Sequence, residues 1–158
     1  MNQGSMANMN GKIFEEMMIP IFEAHGFLVI NESEIPKYSP LPERVVIKNA
    51  SYITIYNERG RTEFVIFAGE RTIRVEAKYQ SAPGSVDEKY PYMLLNGIYK
   101  YPEDEIIFVV DGGGYKKGAR EWLQNQIDND WLYYKEQGKN IQLMTIAEFM
   151  NWFNHTFG

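Results

Sequence analysis

The stretch Ile106-Ile107-Phe108-Val109-Val110 constrains this chain more than any other, because an unbroken apolar run leaves no polar face to turn toward water. Bounded by Glu105 on one side and by Asp111-Gly112-Gly113-Gly114 on the other, it reads as a strand buried on both faces, the kind found in parallel sheets. Such a strand needs helices to cover it. At 158 residues and 44% hydrophobic, the chain is long enough for one core and short for two. A single domain over residues 11–158 is therefore expected, behind a polar, flexible terminus over 1–10.

The covering helices are visible as apolar spacing. Ile13, Phe14, Met17, Met18, Ile21 and Phe22 recur at helical intervals, predicting a helix from Gly11 to His25 with Pro20 inside it and Gly26 as its stop. Ser85 with Glu88 suggests an N-cap for a helix over Tyr90 to Tyr99, and a long helix is expected from about Lys117 to Gln137. Thr145 with Glu148 makes a capping box for a last helix to about Asn154. Trp122, Leu123, Ile127 and Trp131 fall on one helical face, which assigns the tryptophans to the core and not to base stacking.

Between the first two helices the pattern changes. Asn31 to Pro42, with three prolines, reads as a loop or edge segment. Arg44–Ile47, Ser51–Tyr56, Thr62–Phe67 and Thr72–Tyr79 read as strands, the last two as a hairpin across Ala68-Gly69-Glu70. Ile141–Met144 adds a short strand near the end. The order predicts an α/β fold whose mixed central sheet, an antiparallel hairpin plus a parallel strand, is flanked by helices.

Composition limits the chemistry. With no cysteine, thiolate zinc sites, disulfides and cysteine nucleophiles are excluded, and with only two histidines, His25 and His155, the composition argues against a histidine-rich zinc site. Any metal is expected to be hard and oxygen-bound, magnesium or manganese. A net charge of −5 argues against a protein that coats nucleic acid through a general basic excess, yet permits a local basic groove. No apolar run approaches a membrane span, so no membrane partner and a cytoplasmic location are expected.

The chemistry-bearing strand is Thr72 to Gln80, where alternation places Arg74, Glu76, Lys78 and Gln80 on one side and Ile73, Val75, Ala77 and Tyr79 on the other. Alone, this row reads first as a solvated face with a weak ion pair. A carboxylate and an ammonium two residues apart also suit phosphodiester chemistry, the one holding a metal, the other meeting water and phosphate. Asp87-Glu88-Lys89 repeats the acid-x-Lys spacing, so the triplet needs company.

That company is Glu63, in Thr62-Glu63-Phe64-Val65-Ile66 on the preceding strand; no aspartate precedes Asp87, and Glu58 and Glu70 fall in turns. With these residues the chain resembles the PD-(D/E)XK nuclease superfamily, Thr-Glu standing where Pro-Asp is usual. The stretches Glu76-Ala77-Lys78-Tyr79-Gln80, Gly84 to Tyr92, Asp111 to Gly114 and Gly118 to Leu123 look like a phage- and restriction-associated branch of it. The resemblance implies a restriction-endonuclease-like core and a magnesium-dependent nuclease, manganese substituting, acting on nucleic acid and most readily DNA, with a homodimer possible. It implies Glu63, Glu76, Lys78 and Gln80 as catalytic residues, and Glu63, Glu76 and the Ala77 carbonyl as metal ligands. Glu15 is expected as a supplementary ligand or a solvated helix residue. Lys89, Lys116 and Lys117 are candidate phosphate contacts. A nuclease fold serving only as a binding or regulatory module shares these features, and an anion site at the turn around Gly113 is a weaker third reading.

Overall fold

A computed structural model describes the backbone of residues 3–158 and the side chains of residues 12–158. The terminus expected to be flexible over 1–10 lies, for its side chains, outside the described residues. The elements run α1 (Gln3–Ala24), β1 (Leu28–Asn31), β2 (Arg44–Ile53), β3 (Arg59–Ala68), β4 (Arg71–Tyr79), α2 (Tyr90–Tyr99), β5 (Glu105–Asp111), α3 (Lys117–Asp128), β6 (Asn140–Met144) and α4 (Ile146–Phe157). The strands form one sheet in the order β1-β2-β3-β4-β5-β6. β2, β3 and β4 are antiparallel neighbours, whereas β1 pairs with β2, β4 with β5 and β5 with β6 in parallel. This is the mixed sheet expected, with β5 buried throughout from Ile106 to Val110.

Both faces of the sheet are covered. Phe14, Met18 and Phe22 of α1 and Phe149, Phe153 and Phe157 of α4 pack on Phe64, Ile66, Ile73, Val75 and Val109. Opposite, Met93, Leu94 and Ile98 of α2 and Leu123 and Ile127 of α3 pack on Ile106, Phe108 and Val110. Trp122 and Trp131 lie against this second cluster with their rings edge to face at 5.5 Å, as the core assignment requires. α1 ends as its sequence predicts: Gly26 takes φ +80°, and the Phe27 amide reaches back to the Phe22 carbonyl at 3.1 Å.

Several boundaries differ from expectation, each for a local reason. Arg44–Ile47 and residues 51–53 belong to one strand, because Asn49 enters the left-handed region at φ 51° and the register resumes unchanged at Ala50↔Thr62. The chain turns instead over residues 54–58, where Thr54 and Glu58 share a backbone hydrogen bond. β1 ends at Asn31, where the proline-rich segment begins, and that segment opens with a 3-10 turn, Glu32–Lys37. Ser85 does not cap α2 with its side chain, since a 3-10 turn, Val86–Lys89, intervenes. α3 stops at Asp128, not Gln137; Asn129 caps it by donating to the Asn125 carbonyl, and Asp130 turns left-handed at φ 55°. Thr145 and Glu148 do form the reciprocal capping box of α4.

Candidate active site

The β3–β4 ladder runs from Ala68↔Arg71 to Phe64↔Val75 and ends one residue short of Glu63 and Glu76. β4 continues alone beside β5 as far as Tyr79↔Asp111. Backbone pairing thus carries Glu76, Ala77 and Lys78 past the end of their antiparallel partner. A cleft of about 200 Å³ lies there, lined among others by Glu63, Ala77, Lys78, Lys89 and Asp111, with Phe14 of α1 in its wall.

The row Arg74, Glu76, Lys78, Gln80 is not a solvated face. Arg74, Glu76 and Gln80 are buried, because α2, α3 and the loops beside them cover this side of the sheet. Arg74 is bound by Glu103, by the Thr62 hydroxyl at 2.9 Å and by the Ala50 carbonyl at 3.1 Å. A buried guanidinium with this full set of partners ties β2, β3 and β4 together just below the site.

Glu76 accepts a hydrogen bond from the Ala77 amide at 2.9 Å and stands 3.9 Å from the Lys78 ammonium. Burial pushes its pKa up, against the opposing pull of Lys78, the Ala77 amide and Arg74. Glu63 makes no hydrogen bond or ion pair among the described residues. Burial, reinforced by the charge of Glu76 and more weakly of Glu15, pushes it up to about 7, with Lys78 the only group opposing. Two carboxylates disfavoured as anions therefore share one lysine. Glu15 is held by Lys48 of β2 at 3.0 Å.

The remaining expected residues divide clearly. Gln80 is beside the site, but its side chain is spent: the amide donates to the Gly114 carbonyl at 3.1 Å and the oxygen accepts from the Asp87 amide at 3.0 Å. Lys89 is exposed and lines the cleft, with no acidic partner among the described residues. Lys116 is bound to Asp87, whose carboxylate also accepts from the Lys116 amide at 2.7 Å, and Lys117 pairs loosely with Glu121. Neither lysine lines the cleft. Burial alone would raise the Asp87 pKa, yet the Lys116 amide and ammonium hold it below the usual carboxylate range. The second acid-x-Lys triplet thus contains a structural anchor.

The glycine turn is not an open anion cradle. The Gly114 amide donates to the Gln80 carbonyl and the Gly112 amide to Asp111, so two of its donors are taken. A Cβ on Gly114 would sit 2.3 Å from the Ala82 carbonyl oxygen, which shows how tightly the turn packs. Asp111, which the sequence marks only as the end of a strand, lines the cleft and accepts from the Ile146 amide at 2.9 Å, fixing the start of α4. Lys48 carried no signal in sequence; its role appears only once β2 lies beside α1.

Hard carboxylate oxygens with raised pKa values at Glu63 and Glu76 fit a divalent cation, which would offset the cost of burying them and the repulsion between them. Among the described residues, no group of three or more His, Cys, Asp or Glu side chains is placed to hold an ion. A covered mixed sheet whose acid-x-Lys strand runs on past its hairpin partner is the α/β arrangement that the resemblance implied. The chain belongs to the PD-(D/E)XK nuclease superfamily: the family model for a PD-(D/E)XK nuclease superfamily domain matches residues 6–157. No curated protein and no solved structure matches it.

Proposed function

We propose that this chain is a divalent-metal-dependent nuclease that hydrolyses phosphodiester bonds, preferring DNA, with magnesium or manganese as its ion and a cytoplasmic site of action. The supporting observation is the pairing of Glu63 and Glu76, both held protonation-prone by burial, around Lys78 at the open end of the β3–β4 hairpin. Glu63, Glu76 and the Ala77 carbonyl would hold the ion, with Glu15 behind them. When bound, such an ion supplies Lewis acidity that polarises the phosphoryl group and acidifies water.

The chain's own residues do the rest. Lys78, steadied by Glu76, orients the attacking water and offsets charge on the phosphate. Water adds to phosphorus, the bond to the leaving sugar oxygen breaks, and that oxygen takes up a proton. Lys89 at the rim contacts a flanking phosphate, and Lys116 and Lys117 at the start of α3 extend the contact. Gln80 acts as a positioning residue, locking β4 to the 111–114 turn.

Replacing Lys78 by alanine is expected to lower magnesium-dependent cleavage by at least ~100-fold while leaving the melting temperature near that of the parent. Full activity in that variant would sink the assignment. A second reading, a nuclease fold that binds without cutting, draws support from the small number of acidic side chains gathered at the cleft. The two separate on activity: wild-type protein that binds nucleic acid but cleaves no DNA or RNA with either ion supports the second.

A further inference from the structure

A second groove, about 400 Å³, opens on the other side of Glu76 and Lys78 and shares Lys78 and Lys89 with the first. Its volume falls within the range of sites that take a small ligand. Its walls are unusually aromatic. Tyr52 and Tyr101 meet edge to face at 4.8 Å with the Arg74 guanidinium against both rings. Tyr56 and Tyr92 stack on each other at 5.1 Å and 22°. Tyr56 remains 69% exposed, a large ring left at the surface of a groove whose charged lining sets Arg59, Arg61, Lys78 and Lys89 against Glu58, Glu76 and Glu88.

The floor is polar and incomplete. Asn96 is fully buried and lines the groove; its oxygen accepts from the Ile55 amide at 2.8 Å, which fixes the orientation of the side-chain amide. Its nitrogen is buried with no hydrogen-bond partner. An orphaned donor lining the same groove as four tyrosine rings asks for an acceptor on a flat, aromatic ligand.

We propose that this groove binds one unpaired nucleobase of the substrate strand, stacked on the Tyr56–Tyr92 pair, with a ring nitrogen or carbonyl available to the Asn96 amide. The proposal rests on reading the adjacent Glu63–Glu76–Lys78 centre as a nucleic-acid site, and it names the substrate class: strands that are single, flapped or frayed at the cut. A base paired within a duplex has both faces stacked and its hydrogen-bonding edge occupied, so it cannot enter. Gly60 belongs to the same device. A Cβ there would come within 2.8 Å of the Thr54 methyl and 2.9 Å of the Tyr52 ring, so glycine leaves room for that ring.

The test is fluorescence anisotropy in chelator, where no metal-dependent cleavage intervenes, using a labelled single strand and the same sequence as a blunt duplex. Tyr92→Ala and Tyr56→Ala are expected to weaken single-strand binding about tenfold each, Tyr92→Phe to stay close to wild type, and duplex binding to change little. Melting curves establish that each variant is folded. Single-strand binding unchanged in both alanine variants overturns the subsite, as does an equal loss for strand and duplex. Tyrosine-dependent strand binding in a protein that cleaves nothing with magnesium or manganese keeps the subsite and removes the hydrolytic reading; cleavage without tyrosine dependence does the reverse.

Discussion

Glu63 sits half-buried near two other carboxylates with one lysine to offset them, and this has a measurable consequence for stability. Its folded-state pKa of about 7 lies above the ordinary 4.5, so the fold favours the protonated form. The stability linked to this group is fully present below pH 4.5 and is lost as pH rises through about 7. In chelator, Glu63→Gln is therefore expected to melt with wild type at acidic pH and to exceed it at pH 8, by about 2 kcal/mol after allowing for solvent screening. Thermal melts across that window check it; a gap independent of pH would refute the assignment. Arg74 predicts the opposite sign. Arg74→Ala leaves Glu103 without its partner and the Thr62 and Ala50 acceptors unfilled, and is expected to cost about 3–5 kcal/mol in chemical denaturation, with Arg74→Lys restoring little. Sequence gave no hint of this. Alternation places Arg74 beside Glu76, but only the burial of that face separates a structural cation from a surface one.

At the scale of elements, periodicity proved sufficient where one face alone decides the outcome. The apolar run of β5, the helical spacing of α1 and the capping box of α4 each specify their element locally. The shortfalls fall where a polar residue has two uses. Asn49 looks like a turn and instead bends a strand, while Asn129 and Asp130 look like helix and instead end one. Four residues of β1 cannot be read without β2 beside them. The glycine turn shows how elements fix the site at a distance. Gly112 takes φ +99° and packs on Gln80, and Gly114 packs on Ala82, so this turn clamps the end of β4. Gly114→Ala is expected to destabilise the fold by about 1–3 kcal/mol and to lower any cleavage further than its loss of stability accounts for, since the clash is with backbone. Unfolding curves and rates on the same preparation test both parts.

For the molecule as a whole, the closeness of Glu63 to Glu76 was legible because family-like spacing survives without its usual aspartate, whereas the tyrosine groove was not, being drawn from β2, the 54–58 turn, α2 and Tyr101 beyond it. The decisive property is also a whole-molecule one: whether folding and ion binding are coupled. A net charge of −5 spread over the surface attracts divalent ions only weakly once screened, so a saturable thermal shift has to come from a built site. An ion held by Glu63 and Glu76 requires both as anions, which the fold resists below about pH 7 at Glu63. Magnesium or manganese at ~100 times its dissociation constant should then add about 2.7 kcal/mol, a rise of roughly 5–10 °C at pH 8, and much less at pH 5 where protons compete. Chelator should reverse it. Glu63→Gln and Glu76→Gln should each abolish most of the shift, while Lys78→Ala, which removes a competing cation from the same cleft, should keep or enlarge it. A melting temperature indifferent to both ions at pH 8 would separate the fold from metal-dependent hydrolysis and leave binding as its activity.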